Sequence, residues 1–156
     1  MWLRFAAALF RLPRFRGARG RNVTTLVDSN VLFDLLSQDD EWSDWSASML
    51  AEAAEQGLVA VNPIIYAEVS IRYDRIEDLE LALPAEYFVR LPLPNDAAFL
   101  AGKVFLRYRR RGGARSAPLP DFFIGAHAAV SGLTLLTRDP RRYRSYFPKL
   151  RIVAPS

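Results

Sequence analysis

Cysteine is absent from the 156-residue chain, and histidine occurs once, at His127. The first absence excludes disulfides and thiolate metal ligands. Together the two exclude a zinc site of the usual nitrogen and sulfur type, so any metal here must be held by oxygen. Oxygen-only sites suit Mg²⁺, Mn²⁺ or Ca²⁺. No apolar run is long enough to cross a bilayer, and no segment repeats, so neither a membrane span nor a solenoid is expected. Lysine is scarce, with only Lys103 and Lys149. At 51% hydrophobic and 24% charged residues the composition is that of one ordinary soluble domain, of a length that sustains its own core.

Acidic residues are missing from residues 1–22 and scarce after residue 96. Residues 1–22 carry six arginines (Arg4, Arg11, Arg14, Arg16, Arg19 and Arg21) and no acid, so much of the net charge of +4 belongs to that segment. Residues 23–96 hold 3 basic and 15 acidic residues, whereas residues 97–156 hold 12 basic and 2 acidic ones. A basic half beside an acidic one can lead a polyanion toward an acidic pocket, although arginines on solvated helix faces produce the same statistics. The first 22 residues are broken by Pro13, Gly17 and Gly20, and the apolar stretch from Phe5 to Phe10 is too short for a secretory signal. We therefore expect a cytoplasmic protein with a basic extension over 1–22 and a folded domain over 23–156. Translation from a start upstream of the true one explains the extension without a function. A mitochondrial presequence and a flexible nucleic-acid or membrane-surface arm rank behind it.

Within the domain, short apolar runs alternate with helical patterns. Val23–Val27 and Leu58–Val61 read as buried strands, with further strands expected around Tyr87–Leu91 and over Leu133–Thr137. Helical spacing follows over Val31–Leu36, from Trp42 to a C-cap at Gly57, and from Pro63 to about Tyr73 behind the N-cap Asn62. Later helices are expected over part of 74–90, from a cap at Asn95 or Asp96 through Arg111, and from Asp121 to Gly132. Asp39, Asp40, Glu41 and Asp44 fall where a helix dipole favours negative charge and are read as helix-start charges. Alternation of this kind predicts an α/β fold with a mainly parallel sheet.

Four acids occupy positions where an unpaired carboxylate is hard to accommodate: Asp28 closing the first strand, Glu68 on a helix face shared with Ile64, Ile65 and Ile71, Asp121 at a helix start, and Asp139 just beyond the last strand. Asp28 and Asp139 lie at the carboxyl ends of strands, the edge at which parallel sheets bind ligands. Gly125 and Ala128 follow Asp121 on its helix face and are expected to leave space above it, and Thr137 and Asp139 are expected to project to one side of the strand. Two carboxylates ~4 Å apart repel by ~4 kcal/mol at an effective dielectric of 20, so four gathered in one pocket need a cation. One or two divalent ions there would activate water for in-line attack at phosphorus. Asn30 and Thr137 are the neutral groups placed to orient the carboxylates. Arg138, Arg141 and Arg142 are candidates for contacts to a nucleic-acid backbone. His127, six positions after Asp121, lies around the helix from it and is read as a packing residue.

Val27-Asp-Ser-Asn-Val-Leu32, Tyr66-Ala-Glu68, Pro120-Asp-Phe-Phe-Ile-Gly-Ala-His-Ala128 and Leu136-Thr-Arg-Asp139 together resemble the PIN-domain ribonucleases, most closely VapC-type toxins, over about residues 23–153. The resemblance implies an α/β/α sandwich and a Mg²⁺- or Mn²⁺-dependent endoribonuclease with Asp28, Glu68, Asp121 and Asp139 as its acidic site. It also implies a homodimer and a cognate antitoxin protein as partners beside the RNA substrate. The competing readings are a catalytically idle PIN module for RNA binding or assembly, and a PIN-like DNA nuclease. A haloacid-dehalogenase-like phosphatase would need a second aspartate where Asn30 stands, and a receiver domain would need a lysine near the last strand.

Overall fold

The structure, a computed structural model, describes residues 23–37 and 41–156. The basic extension and the acids Asp39 and Asp40 lie outside the described residues. The elements run β1 (Val23–Val27), α1 (Ser29–Leu36), α2 (Ser43–Gln56), β2 (Gly57–Val61), α3 (Pro63–Ser70), α4 (Ile76–Ala82), β3 (Val89–Arg90), α5 (Asn95–Arg110), α6 (Pro120–Val130), β4 (Thr134–Leu136), α7 (Arg141–Tyr146) and β5 (Ile152–Val153). The five strands form one sheet in the order β3-β2-β1-β4-β5, and every pairing is parallel. The expected α/β class with a parallel sheet is therefore what the chain adopts.

The strand order carries the functional information. The chain leaves β1 for β2 and β3 on one side, then returns across the sheet to place β4 on the other side of β1. Such a reversal opens a crevice at the carboxyl ends of the two strands, here where Asp28 and Thr137 stand side by side. Val27 pairs with Leu136 in register, and the Asp28 amide donates to the Leu136 carbonyl at 2.9 Å, so the two strand ends are locked side by side.

The core lies around the inner strands, with Leu26, Val27, Val61, Leu135 and Leu136 at 0% exposure beside Leu32, Ile65, Phe88, Phe122 and Ile124. Each such side chain contributes roughly 1.5–3 kcal/mol of burial. α5 packs along α6, and α6 contacts both α3 and α7. Two glycines permit tight passages. A Cβ at Gly57 would strike the Val23 carbonyl, where α2 passes straight into β2, and Gly132 takes φ +65 in the turn from α6 to β4.

Several local expectations change. α5 begins at Asn95 with Pro94 in the cap position and no side-chain cap, so neither Asn95 nor Asp96 serves as the N-cap. Ile71 falls beyond the end of α3 and is 84% exposed, so it does not share an inward face with Glu68. The space over α6 at Gly125 is filled by the Phe147 ring instead of standing open above Asp121. Two elements had no forerunner in the sequence reading: α7, which falls in the arginine run, and the two-residue strand β5.

Candidate active site

Asp28 is the N-cap of α1, extended at φ −65 and ψ 149, and its Oδ1 accepts from the Ser29 amide at 2.8 Å. The cap turns the chain from strand to helix and leaves the other oxygen free to face the crevice. That oxygen, Oδ2, accepts from Thr137 Oγ1 at 2.8 Å, from the Tyr143 hydroxyl at 2.9 Å and from Asn30 Nδ2 at 3.4 Å. All these partners are neutral. Only 4% of Asp28 is exposed, and burial, with the Asp121 charge adding to it, pushes its carboxyl up to about 6 against the pull of its hydrogen bonds.

Asp121 sits in the first turn of α6 behind Pro120, where exposed helix amides favour a negative charge. Its Oδ1 stands 3.4 Å from the Tyr143 hydroxyl, the same hydroxyl that donates to Asp28, and its Oδ2 accepts from Arg142 Nη1 at 2.6 Å. Glu68 enters from α3 and accepts from Ser29 Oγ at 2.8 Å. It is half-buried, and burial, with the charges of Asp28 and Asp121 adding, raises its carboxyl above the ordinary range. Asp28, Glu68 and Asp121 thus lie within one electrostatic neighbourhood, although their positions in sequence span three separate helices.

Asp139 is placed differently. β4 ends at Leu136, so the alternation expected to align Thr137 with Asp139 does not extend that far. Thr137 is fully buried against Asp28, while the Asp139 side chain is 58% exposed and is gripped by Arg141 through Nε at 3.1 Å and Nη2 at 3.3 Å. That pairing lowers its carboxyl below the ordinary range. The turn itself is fixed by Thr137 Oγ1, which accepts from the Asp139 amide at 3.2 Å.

A cleft of about 500 Å³ is lined by Asp28, Ser29, Asn30, Asp121, Asp139, Arg141, Arg142, Tyr143, Ser145 and Tyr146. Three of the four expected acids line it, and Glu68 adjoins it through Ser29. Asn30 serves as a brace: its Nδ2 donates to Thr137 Oγ1 at 3.1 Å and its Oδ1 accepts from the Arg138 amide at 3.1 Å, joining α1 to the loop after β4. Arg141 and Arg142 line the cleft, but Arg138 does not. Its Nε lies 3.0 Å from Oδ2 of the buried Asp34, as an ion pair without hydrogen-bond directionality, and its guanidinium lies 5.4 Å from the Trp42 ring.

Sequence reasoning missed Tyr143 altogether. It is 1% exposed, and burial beside three acids raises its hydroxyl far above the ordinary tyrosine range, so it remains a proton donor at any physiological pH. His127 is buried at 2% exposure, and its Nδ1 faces Asn62 Nδ2 at 3.1 Å. Since Asn62 Oδ1 already caps α3 at the Ile65 amide, its Nδ2 is the donor, and His127 presents an unprotonated Nδ1. Burial holds the imidazole below its ordinary range, so it is neutral and ties α6 to the start of α3.

The donor set fits a hard divalent cation, because it is made of oxygen only and the buried Asp28 carries charge that neutral hydrogen bonds do not compensate. Among the described residues, no three acidic or histidine side chains close around one point as ligands of a single ion would. Guanidinium groups instead occupy two of the carboxylates, Arg142 on Asp121 and Arg141 on Asp139. No helix among the described residues is long and apolar enough to cross a membrane.

Comparison with known proteins bears on the same region. The PIN domain family matches residues 25–148. No curated protein matches the sequence. Among solved structures, VapBC2 from Rickettsia felis bound to a DNA fragment from its promoter is similar with a TM-score of 0.67 and 15% identity, covering 86% of this chain and 100% of that one. VapBC-1 from nontypeable Haemophilus influenzae gives 0.64 at 18% identity, covering 85% and 98%. A toxin–antitoxin complex from Klebsiella pneumoniae gives 0.59 at 23% identity, again covering 85% and 98%.

Proposed function

Since this chain belongs to the PIN domain family, whose members are typically nucleases, we propose that it is a Mg²⁺- or Mn²⁺-dependent endoribonuclease and the toxin of a toxin–antitoxin pair. The observation that carries the reading is the meeting of Asp28 and Asp121 on the single hydroxyl of Tyr143, at the carboxyl edge of the sheet where the strand order reverses. Structural proteins seldom bury a carboxylate that has only neutral donors, as Asp28 is buried here, next to a second carboxylate.

In this reading Asp28, Glu68, Asp121 and Asp139 hold the cation. The bound cation supplies Lewis acidity, which makes water nucleophilic at neutral pH and offsets charge building on the phosphate. Thr137, Asn30 and the Ser29 amide fix the Asp28 carboxylate, and Ser29 Oγ fixes Glu68, so these donors set the direction of the acidic oxygens before any ligand arrives. Tyr143, locked as a donor, holds Asp28 and Asp121 to one side of the cleft. Arg141 and Arg142, beside the acids on α7, receive the RNA backbone. Single-stranded RNA is the fitting substrate, because its phosphates reach a cleft of this size without a duplex having to open. A homodimer, an antitoxin protein that covers the cleft and a cytoplasmic setting complete the reading, along with a domain that begins at about residue 23.

The arginines on Asp121 and Asp139 favour one other reading, a PIN module that binds RNA without cutting it. Incubation of the purified chain with an RNA oligonucleotide, with and without Mn²⁺, separates the two. Metal-dependent cleavage lost in both Asp28→Asn and Asp121→Asn is expected, and full cleavage by both variants overturns the nuclease assignment.

A further inference from the structure

We infer, resting on the nuclease reading, that Arg142 is a resident cation of the site: it holds Asp121 in the metal-free protein, yields that carboxylate to the divalent ion, and then serves the RNA phosphate. The four acids are not served alike. Asp28 and Glu68 have only neutral hydrogen-bond donors, while Asp121 and Asp139 each hold a guanidinium from α7.

The two arginine pairs also differ from each other. Arg141 and Asp139 are two residues apart in the chain, and Arg141 is 89% exposed, so that pair is local and dissolved in solvent. Arg142 reaches across 21 residues from α7 to α6 and places Nη1 2.6 Å from Asp121 Oδ2, with side chains 49% and 29% exposed. The Tyr143 proton goes to Asp28, so Arg142 is the one strong donor on Asp121, and a divalent ion that takes Oδ2 competes with it directly.

The displaced guanidinium has a destination. Ser145 and Tyr146 line the same cleft, and Arg111, just past the end of α5, reaches both of them, its Nη1 3.4 Å from Ser145 Oγ and its guanidinium 5.1 Å from the Tyr146 ring. No acid other than Asp139 occurs between residue 122 and the end of the chain. Released from Asp121, Arg142 would join Arg111 on a wall with surplus positive charge, where a phosphate is the matching ligand.

The test is Mn²⁺ binding at neutral pH, read from the electron paramagnetic resonance of the free ion, in the wild type, Arg142→Gln and Arg144→Gln. Arg144→Gln removes the same charge from the same helix and so controls for the general field. Arg142→Gln is expected to bind Mn²⁺ about three- to tenfold more tightly than the wild type, with Arg144→Gln within about twofold of it. At saturating Mn²⁺, Arg142→Gln is further expected to raise KM for a single-stranded RNA oligonucleotide more than it lowers kcat. Equal Mn²⁺ affinity in the two variants, or weaker binding by Arg142→Gln, overturns the exchange even where the wild type cleaves RNA. Absence of Mn²⁺ binding from the wild type and Arg142→Gln alike overturns the nuclease reading, and the exchange with it. An unchanged KM removes the phosphate role.

Discussion

The Tyr143 hydroxyl donates to Asp28 Oδ2 at 2.9 Å and has only one proton to give, so Asp121 Oδ1, 3.4 Å from the same oxygen, is served poorly by it. Two carboxylates thus share one neutral donor. Removing that donor in Tyr143→Phe strips a bond that lowers the Asp28 carboxyl, which should move further above its value of about 6. Loss of a hydrogen bond to a buried carboxylate should cost roughly 1–3 kcal/mol of stability at pH 7. Carboxyl ¹³C titration and urea unfolding read the two effects, and an unmoved Asp28 titration would contradict the geometry.

The raised carboxyl of Asp28 fixes the sign of a pH effect. The folded protein binds a proton there more tightly than the unfolded chain, whose value is near 3.8, so this contribution to stability is present in full below pH 4. It is lost as pH rises through about 6. The difference in carboxyl value corresponds to roughly 3 kcal/mol. Glu68 is shifted in the same direction, while Asp139 is shifted oppositely but at an exposed site where screening leaves little. Asp28→Asn keeps the Ser29 cap and removes the charge but turns an amide NH2 toward the Thr137, Tyr143 and Asn30 donors, so its effect is read in the pH dependence of stability, which should flatten. Unfolding midpoints measured from pH 4 to 8 should fall for the wild type and stay flatter for the variant.

Metal should reverse that penalty. Adding Mn²⁺ at 100 times its dissociation constant should stabilise the wild type by about 2.7 kcal/mol, and a chelator should undo it. Asp28→Asn should show little of this gain. Thermal unfolding with and without Mn²⁺ measures the contrast, and an equal rise in both proteins would remove Asp28 from the ion's neighbourhood.

Asp28 and Asp121 were legible because each stands at a junction that the sequence marks twice, an apolar run or proline on one side and a helical pattern on the other. Glu68 was legible through its apolar neighbours Ile64 and Ile65, even though Ile71 proved to be exposed. Tyr143 was not, since an aromatic residue within Arg141-Arg-Tyr-Arg144 offers no periodicity and α7 is only six residues long. β5 is two residues long and is held by pairing with β4, a long-range contact that no local pattern announces. The expected alignment of Thr137 with Asp139 failed because the strand stops one residue before Thr137, which spends its hydroxyl on Asp28.

Arg138 and Arg141 look alike in sequence, one residue before and two after Asp139, yet the fold gives them opposite work. Arg138 faces Asp34, which is 1% exposed and also accepts from Ser46 Oγ at 2.8 Å, and it stacks on Trp42. Arg138→Ala takes the ion pair from a buried carboxylate that keeps its bond to Ser46, and should destabilise the fold by roughly 1–3 kcal/mol. Arg141 is 89% exposed on the cleft wall, and Arg141→Ala should change stability by under about 1 kcal/mol. If Arg141 meets an RNA phosphate, its loss should lower the slope of log affinity against log salt by about 0.7, the single-strand value for one contact. Arg138→Ala, assayed well below its unfolding temperature, should leave that slope unchanged. Urea unfolding and RNA binding at several salt concentrations, both in metal-free buffer, give the two columns of this comparison. A stable Arg138→Ala protein with a reduced slope would return Arg138 to the RNA surface and leave the Asp34 pair without energetic weight.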